Sequence, residues 1–379
     1  MDGQTVLENV TRVSDEFAAA RGERQKRRNL DPADFDRLRE AGFLLTGVPV
    51  EQGGLWESVT RSTRSYCGIL RALARGDSSV ALVSSMHPAV LVFWLATPEA
   101  EAPFADAWKA QRAHVARTAL DGAWWGTITS EPGSGGDLSK TKAIARPDGD
   151  GYRVSGQKHF GSGSGISSYM ITSALADGVP DLFFLETKDA PWDGSTGIKL
   201  LAEWDGHGMA ATQSHSMLFE EFPATRSAWP GTLLRIFAGA GPYVAASFTA
   251  VIVGVVDAAM EAARAVLGPK HESLRAYERV EWTRAELDAW LIGQAYEGML
   301  RAVEEGREPL RNALLAKTAI AELAESAMGR LCKIIGGGTF NRTSPFGFWY
   351  EDVRALGFLR PPWGLAYDQL FMSAWPAEG

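Results

Sequence analysis

A mostly helical α+β chain is predicted, with an N-terminal helical domain over 1–122, a central β-sheet or barrel domain over 123–229 and a C-terminal four-helix bundle over 230–379. Three observations predict it. Apolar residues recur at helical spacing from about residue 5 to 120. From about 124 to 229 they fall instead into short alternating runs broken by turn residues. Beyond Pro230-Gly231 helical spacing returns over 232–267, 279–305 and 310–335, stretches long enough to pack antiparallel as a bundle.

In chain order, Asp31-Pro32 reads as a helix cap followed by proline at the first helical position. Phe35, Leu38 and Ala41 then share one face before Gly42 ends the helix. The stretch Gly47-Val48-Pro49-Val50-Glu51-Gln52-Gly53-Gly54 breaks the pattern. Helical spacing resumes through Tyr66, Leu70, Leu73 and Ala74, then through Val80, Leu82, Val83 and Met86. His87-Pro88 is expected to interrupt it before Val90, Leu91, Phe93 and Trp94 carry it on. Strands are expected at Ala143-Ile144-Ala145, Tyr152-Arg153-Val154, Tyr169-Met170-Ile171-Thr172, Leu182-Phe183-Phe184-Leu185 and Ser216-Met217-Leu218-Phe219.

Composition narrows the partners. A net charge of −8 argues against nucleic acid or an anionic membrane. The one basic run, Arg21, Arg24, Lys26, Arg27 and Arg28, is interleaved with Glu16, Glu23 and Asp31 and reads as a solvated helix face. Cys67 and Cys332 stand far apart with no Cys-x-x-Cys, which fits a reducing cytoplasm. The six histidines lack metal-ligand spacing, so no metal is expected. The stretch between Arg235 and Asp257 is free of charge, yet Gly239, Gly241, Pro242 and Gly254 suit a buried bundle helix better than a membrane span.

Chemistry concentrates in Thr127-Ile128-Thr129-Ser130-Glu131-Pro132-Gly133-Ser134-Gly135-Gly136-Asp137 and in Gly156-Gln157-Lys158-His159-Phe160-Gly161-Ser162-Gly163. The first runs from β-forming residues into a Gly-rich loop whose hydroxyls and backbone N–H groups suit a flat polar ring or a phosphate. The second follows the turn Pro147-Asp148-Gly149-Asp150-Gly151, so the two are expected on neighbouring strands.

Together these stretches resemble the flavin-binding middle domain of the acyl-CoA dehydrogenase superfamily. Four further segments are similar to that family in the same order: Gly47 to Gly54, Gly208 to His215, Leu331 to Gly338, and Tyr350-Glu351-Asp352-Val353-Arg354. The resemblance implies a flavin oxidoreductase holding FAD, with FMN or reduced flavin as alternatives. It implies that Ile128 and Ser130 offer backbone and hydroxyl groups to the ring, that Phe160 packs on it and that Ser162 reaches its N5 edge. Lys270 would stand where the family keeps a positive charge for the pyrophosphate. Lys333, Gly336 and Gly337 would come from a neighbouring subunit of a homodimer or homotetramer.

The resemblance also has a gap. Dehydrogenases of this family remove a proton with a Glu, and the count that reaches it lands here on Arg360, which stays protonated. The second family position for that Glu falls on Val244. The resemblance therefore leans toward the monooxygenases of the same fold, which take reduced flavin from a separate flavin reductase. Phe160-Gly161-Ser162-Gly163 looks like their flavin strand, and His87 is the candidate helical-domain histidine, with a helix-capping role as its alternative. A dehydrogenase with an unusual base, served by an electron-transfer flavoprotein, and an inactive binding scaffold remain as other readings. Trp124, Trp125, Phe340, Phe346, Phe348 and Trp349 would wall a roomy pocket if they faced the ring, and plain core if they did not.

Overall fold

The computed structural model describes residues 1–375. Six helices open the chain: α1 Gly3–Ala19, α2 Arg21–Arg24, α3 Pro32–Glu40, α4 Val59–Gly76, α5 Ser78–Leu95 and α6 Ala105–Leu120. The start of α3 follows the predicted signal, since the Asp31 side chain accepts the Ala33 N–H at 3.0 Å and Pro32 takes the first turn. Gly42 ends it in the left-handed region at φ 89°. At α5 the expectation fails. His87-Pro88 does not break the helix, which runs unbroken through Pro88. Burial explains this: α5 packs on α4 and other elements with almost every side chain out of water, and that packing outweighs the one hydrogen bond proline cannot make.

Seven strands follow: β1 Trp125–Thr127, β2 Ile144–Asp148, β3 Gly151–Gly161, β4 Tyr169–Ala176, β5 Val179–Glu186, β6 Ile198–Ala202 and β7 His215–Arg226. Pairing runs β4-β2-β3-β7-β5 and returns from β5 to β4, so these strands close into a barrel, with β1 added to β4 and β6 to β7. Inward alternation fills it with Val154, Met170, Ala174, Phe183, Leu185, Met217 and Phe219. The two chemistry-bearing stretches meet less fully than expected. β1 pairs with β4 in parallel, and the first stretch touches β3 through one antiparallel bridge, Ser130 to His159.

The bundle is made of α7 Leu233–Leu267, α8 Ala276–Glu304 and α9 Pro309–Ile335, close to the predicted bounds. After α10 Pro345–Val353 and α11 Ala355–Phe358, the last helix, α12 Trp363–Ala374, lies against α9. Helices α5 and α7 are each long and apolar enough to cross a membrane, but 89% of either apolar window is buried inside the structure, as for core helices. Asp352 on α10 ties the three regions together. Its buried carboxylate accepts from the Ser78 hydroxyl at the head of α5 and from the Met209 N–H beside the barrel.

Helices α4 and α7 approach closely because Gly254 has no side chain. A Cβ there would stand 2.3 Å from the Arg71 carbonyl and 2.8 Å from Ala74. Gly254→Val is therefore expected to cost about 3 kcal/mol by overpacking. Gly298→Ala on α8, where a Cβ meets nothing within 4 Å, should instead stabilise by about 0.5–1 kcal/mol. Denaturant midpoints of the two variants check this, and a tolerated Gly254→Val would mean the helices do not pack as described.

Candidate functional site

Period-two alternation at the end of β1 divides its residues between two environments. Ile128 points into the barrel core, while Thr127 and Thr129 face a cavity of about 430 Å³. The cavity lies between the barrel and the helices. Its apolar wall is Met86, Val90 and Phe93 from α5 with Phe237, Val244 and Phe248 from α7. Leu310 and Leu314 of α9, Pro361 and the Gly136-Asp137-Leu138 segment complete it.

Arg360 is the cation of this cavity. Its Nη1 donates to the Gly136 carbonyl at 2.7 Å, and its Nη2 to Thr129 Oγ1 at 2.8 Å and Ser130 Oγ at 3.2 Å. Burial lowers its pKa to about 10, against a smaller opposing pull from Asp137, so it remains charged at neutral pH. Asp137 is the one carboxylate among the described lining residues. It accepts from the Ser139 N–H and hydroxyl and lies 3.6 Å from Lys140, and these partners hold its pKa below the usual value.

Beneath the loop, Glu131 is buried and accepts from four groups: Lys158 Nζ, the Thr141 hydroxyl and the N–H groups of Lys142 and Ala143. Lys158 also donates to the Ser173 carbonyl. This pair clamps the loop to β3, and its acid has no free lone pair facing the cavity.

Further along β3, the ladder slips between Lys158 and Gly161, and Phe160 sits at φ 56° with its ring 59% exposed. A phenyl ring held out of the core by a conformation that bulky residues avoid is a strained feature of the kind found at binding sites. The Trp204 ring stands edge-on to it at 6.1 Å. Two residues on, Ser162 Oγ is 2.8 Å from Ser214 Oγ, which is 2.7 Å from Thr212 Oγ1, and Thr212 donates to the Met209 carbonyl. A flat, polar-edged ring fits this surface: one exposed aromatic to stack on, with hydroxyls of Ser130 and Ser162 on the strands beside it.

Several expectations need correcting. Ile128 has no free N–H to offer, since it donates to the Ile171 carbonyl, and its carbonyl already accepts from the Thr172 hydroxyl. Thr129, one residue on, faces the cavity in its place. His87 is fully buried and absent from the cavity wall, which takes its neighbours Met86 and Ala89. Its Nδ1 accepts the Trp125 N–H at 3.2 Å and its Nε2 lies 3.4 Å from the Leu44 carbonyl. Desolvation lowers its pKa to about 3, so it stays neutral. With both nitrogens engaged and no opening, His87 has no route to a substrate proton and braces α5 against the start of β1. The six aromatics named as possible walls also lie elsewhere. Trp124 packs on Phe35, Phe43 and His87, Trp125 on Trp94 and Tyr169, and Phe340 is 95% exposed.

Lys270, Lys333, Gly336 and Gly337 are not brought to the cavity within one chain. Leu314 and Lys333 are separated along α9 by 19 residues, roughly 28 Å of helix. Lys270 is exposed in the turn after α7, and Lys333 lies 3.9 Å from Glu281 at the same end of the bundle.

Sequence comparison agrees with the geometry. Residues 126–222 match the model for the acyl-CoA dehydrogenase middle domain. A putative acyl-CoA dehydrogenase, YdbM of Bacillus subtilis, is 26% identical over 94% of this chain and 92% of its own. Residues 126–222 thus form such a middle domain, and the chain as a whole is similar to acyl-CoA dehydrogenase-like proteins. L-evernosamine nitrososynthase of Micromonospora is 25% identical over 95% of this chain and 87% of its own. FMN-bound TdsC of Paenibacillus superposes with a TM-score of 0.79 at 18% identity, covering 98% of each chain, and so shares the superfamily fold. Arg360 was singled out in the sequence by the family resemblance alone. The walls from α5 and α7 were not, because α5 and residues 236–256 of α7 carry no charge on any face.

Proposed function

We propose that this protein is a flavin-dependent monooxygenase that takes FMN already reduced by a separate flavin reductase. The observation that carries the reading is Arg360. At the position that the family resemblance counts to a proton-removing carboxylate, this chain has a guanidinium at the cavity edge bonded to Gly136, Thr129 and Ser130. Asp137, the remaining carboxylate of the described wall, is held ionised by Ser139 and Lys140 and is a weak base. The names of relatives support the same side, since a nitrososynthase and an FMN-bound neighbour share this fold.

Bound reduced flavin would supply the two electrons with which O₂ gives one oxygen atom to the substrate and one to water. The chain's own part is binding, orientation and dryness. Phe160 would stack on the ring and Ser130 would meet its polar edge. The hydroxyl chain gives Ser162 a direction: Thr212 donates to Met209, so Ser214 donates to Thr212 and Ser162 to Ser214. Ser162 Oγ is then left as an acceptor, suited to the N–H that flavin N5 carries only when reduced. The apolar walls exclude water from the oxygen step. A homodimer or homotetramer would add Lys270, Lys333, Gly336 and Gly337 from a second copy, and they would matter most if the cofactor were FAD.

Two titrations test this. Reduced FMN is expected to bind about 10-fold tighter than oxidised FMN, one hydrogen bond's difference at the N5 edge. Anaerobic addition of acyl-CoA thioesters to the flavin-loaded protein should leave the oxidised flavin band unbleached. Bleaching by any of them would establish dehydrogenation and end the monooxygenase reading.

A further inference from the structure

Arg360 makes three of the five N–H bonds a guanidinium can make, to Gly136, Thr129 and Ser130, and all three acceptors are neutral. Its Nε–H and one Nη1–H have no protein acceptor, and Nε is not among the sealed, unpartnered atoms, so it is open. Among the cations nearby, Lys317 is buried and also lacks a carboxylate, donating to the Pro361 carbonyl, but it does not line the cavity. Lys158 has Glu131, and Asp137 serves Ser139 and Lys140. No carboxylate forms a salt bridge with Arg360 among the described residues. The cavity thus carries one cation without a salt bridge, facing Met86, Val90, Phe93, Phe237, Val244 and Phe248, with Asp137 the one carboxylate among the described lining residues.

An unpaired buried charge costs free energy that a ligand can return. Nη2, which shares the side-on edge with Nε, spends both its N–H groups on Thr129 and Ser130, so Nε–H is left to donate one charge-assisted hydrogen bond to an oxygen of a carboxylate or another oxyanion. We propose that Arg360 anchors an anionic substrate, one with a carboxylate or similar oxyanion on a compact apolar body, and so sets the substrate class of the monooxygenase reading above. The apolar body lies along α5 and α7, and the oxyanion accepts from the Nε–H of Arg360. This choice of substrate rests on that reading for its chemistry, but the binding itself does not.

The test is calorimetric titration with 3-phenylpropionate and 4-phenylbutyrate, each against its neutral amide, on both flavin-free and FMN-loaded protein. The carboxylate is expected to bind at least about 10-fold tighter than the amide in both forms. Arg360→Gln should bring the two ligands within about 2-fold, and Arg360→Lys, which keeps the charge without the fixed Nε–H, should give an intermediate ratio. Equal binding of acid and amide to the unaltered protein overturns the proposal and needs no variant. So does an unchanged ratio in Arg360→Gln. A variant that loses FMN while keeping its preference for the acid would assign the cation to the cofactor, which also overturns it. If the protein binds no flavin at all, the function reading fails, while the flavin-free titration still decides the anion site.

Discussion

Glu131→Ala is expected to lower the stability of the folded chain by about 3–5 kcal/mol, because it leaves Lys158 as an unpaired cation in the barrel. Lys158 is fully buried and donates to Glu131 and to the Ser173 carbonyl. Burial pushes its pKa down to about 8, so it is still charged at neutral pH, and the carboxylate beside it is what makes that charge tolerable. The variant also strands the Thr141 hydroxyl and the N–H groups of Lys142 and Ala143. Replacing both partners, with Glu131→Met and Lys158→Met, should cost far less, since no charge is then left behind. For Glu131 itself burial favours the neutral form, but Lys158 and the other donors outweigh it and hold the pKa below 4.5. The stability it contributes is therefore present above pH 4.5 and lost as pH falls through its depressed value. Urea unfolding of the three proteins measures this. A double variant as unstable as the single one would show that the loop is not clamped through this charge pair.

His87 carries the second large effect, and it appears on acidification. Its imidazole is held neutral with a pKa near 3, against 6.5 for an ordinary histidine. The unfolded chain therefore binds a proton that the folded chain refuses between those values. Its share of stability is intact above pH 6.5 and falls as pH drops toward 3, a loss of up to about 4 kcal/mol. His87→Gln keeps an acceptor for the Trp125 N–H and a donor for the Leu44 carbonyl without titrating. The variant should lose stability more slowly between pH 6.5 and 4 than the parent, though it starts about 1–2 kcal/mol lower from imperfect packing. Carboxylates such as Asp352, whose burial raises its pKa to about 6, are common to both proteins and cancel in the difference. Parallel stability curves for the two would mean that His87 reaches water. The same neutrality bears on activity: no limb of a pH–rate profile near 6.5 should be traceable to His87.

Local chemistry was legible in the sequence wherever neighbours along the chain decide it. The cap at Asp31, the bounds of α7 to α9 and the run of strands all followed from spacing and residue type, and the structure returns them. The family resemblance was legible for the same reason, as motifs in order. What failed were judgements about facing. Ile128 and Thr129 are adjacent and both β-forming, and only pairing with β4 turns the first into the barrel and the second into the cavity. Phe93 and Phe248 lie in helical stretches without a charged residue, so periodicity cannot choose a side for them. His87 looks like a reactive residue until α5 runs straight through Pro88 and seals it against Trp125 and Leu44. The sequence by itself thus determined the kinds of element and their order, because these depend on short-range pattern. Tertiary structure decided which side chains meet water, cavity or one another, since that depends on contacts between residues far apart in the chain, such as Arg360 with Thr129 and Lys158 with Glu131.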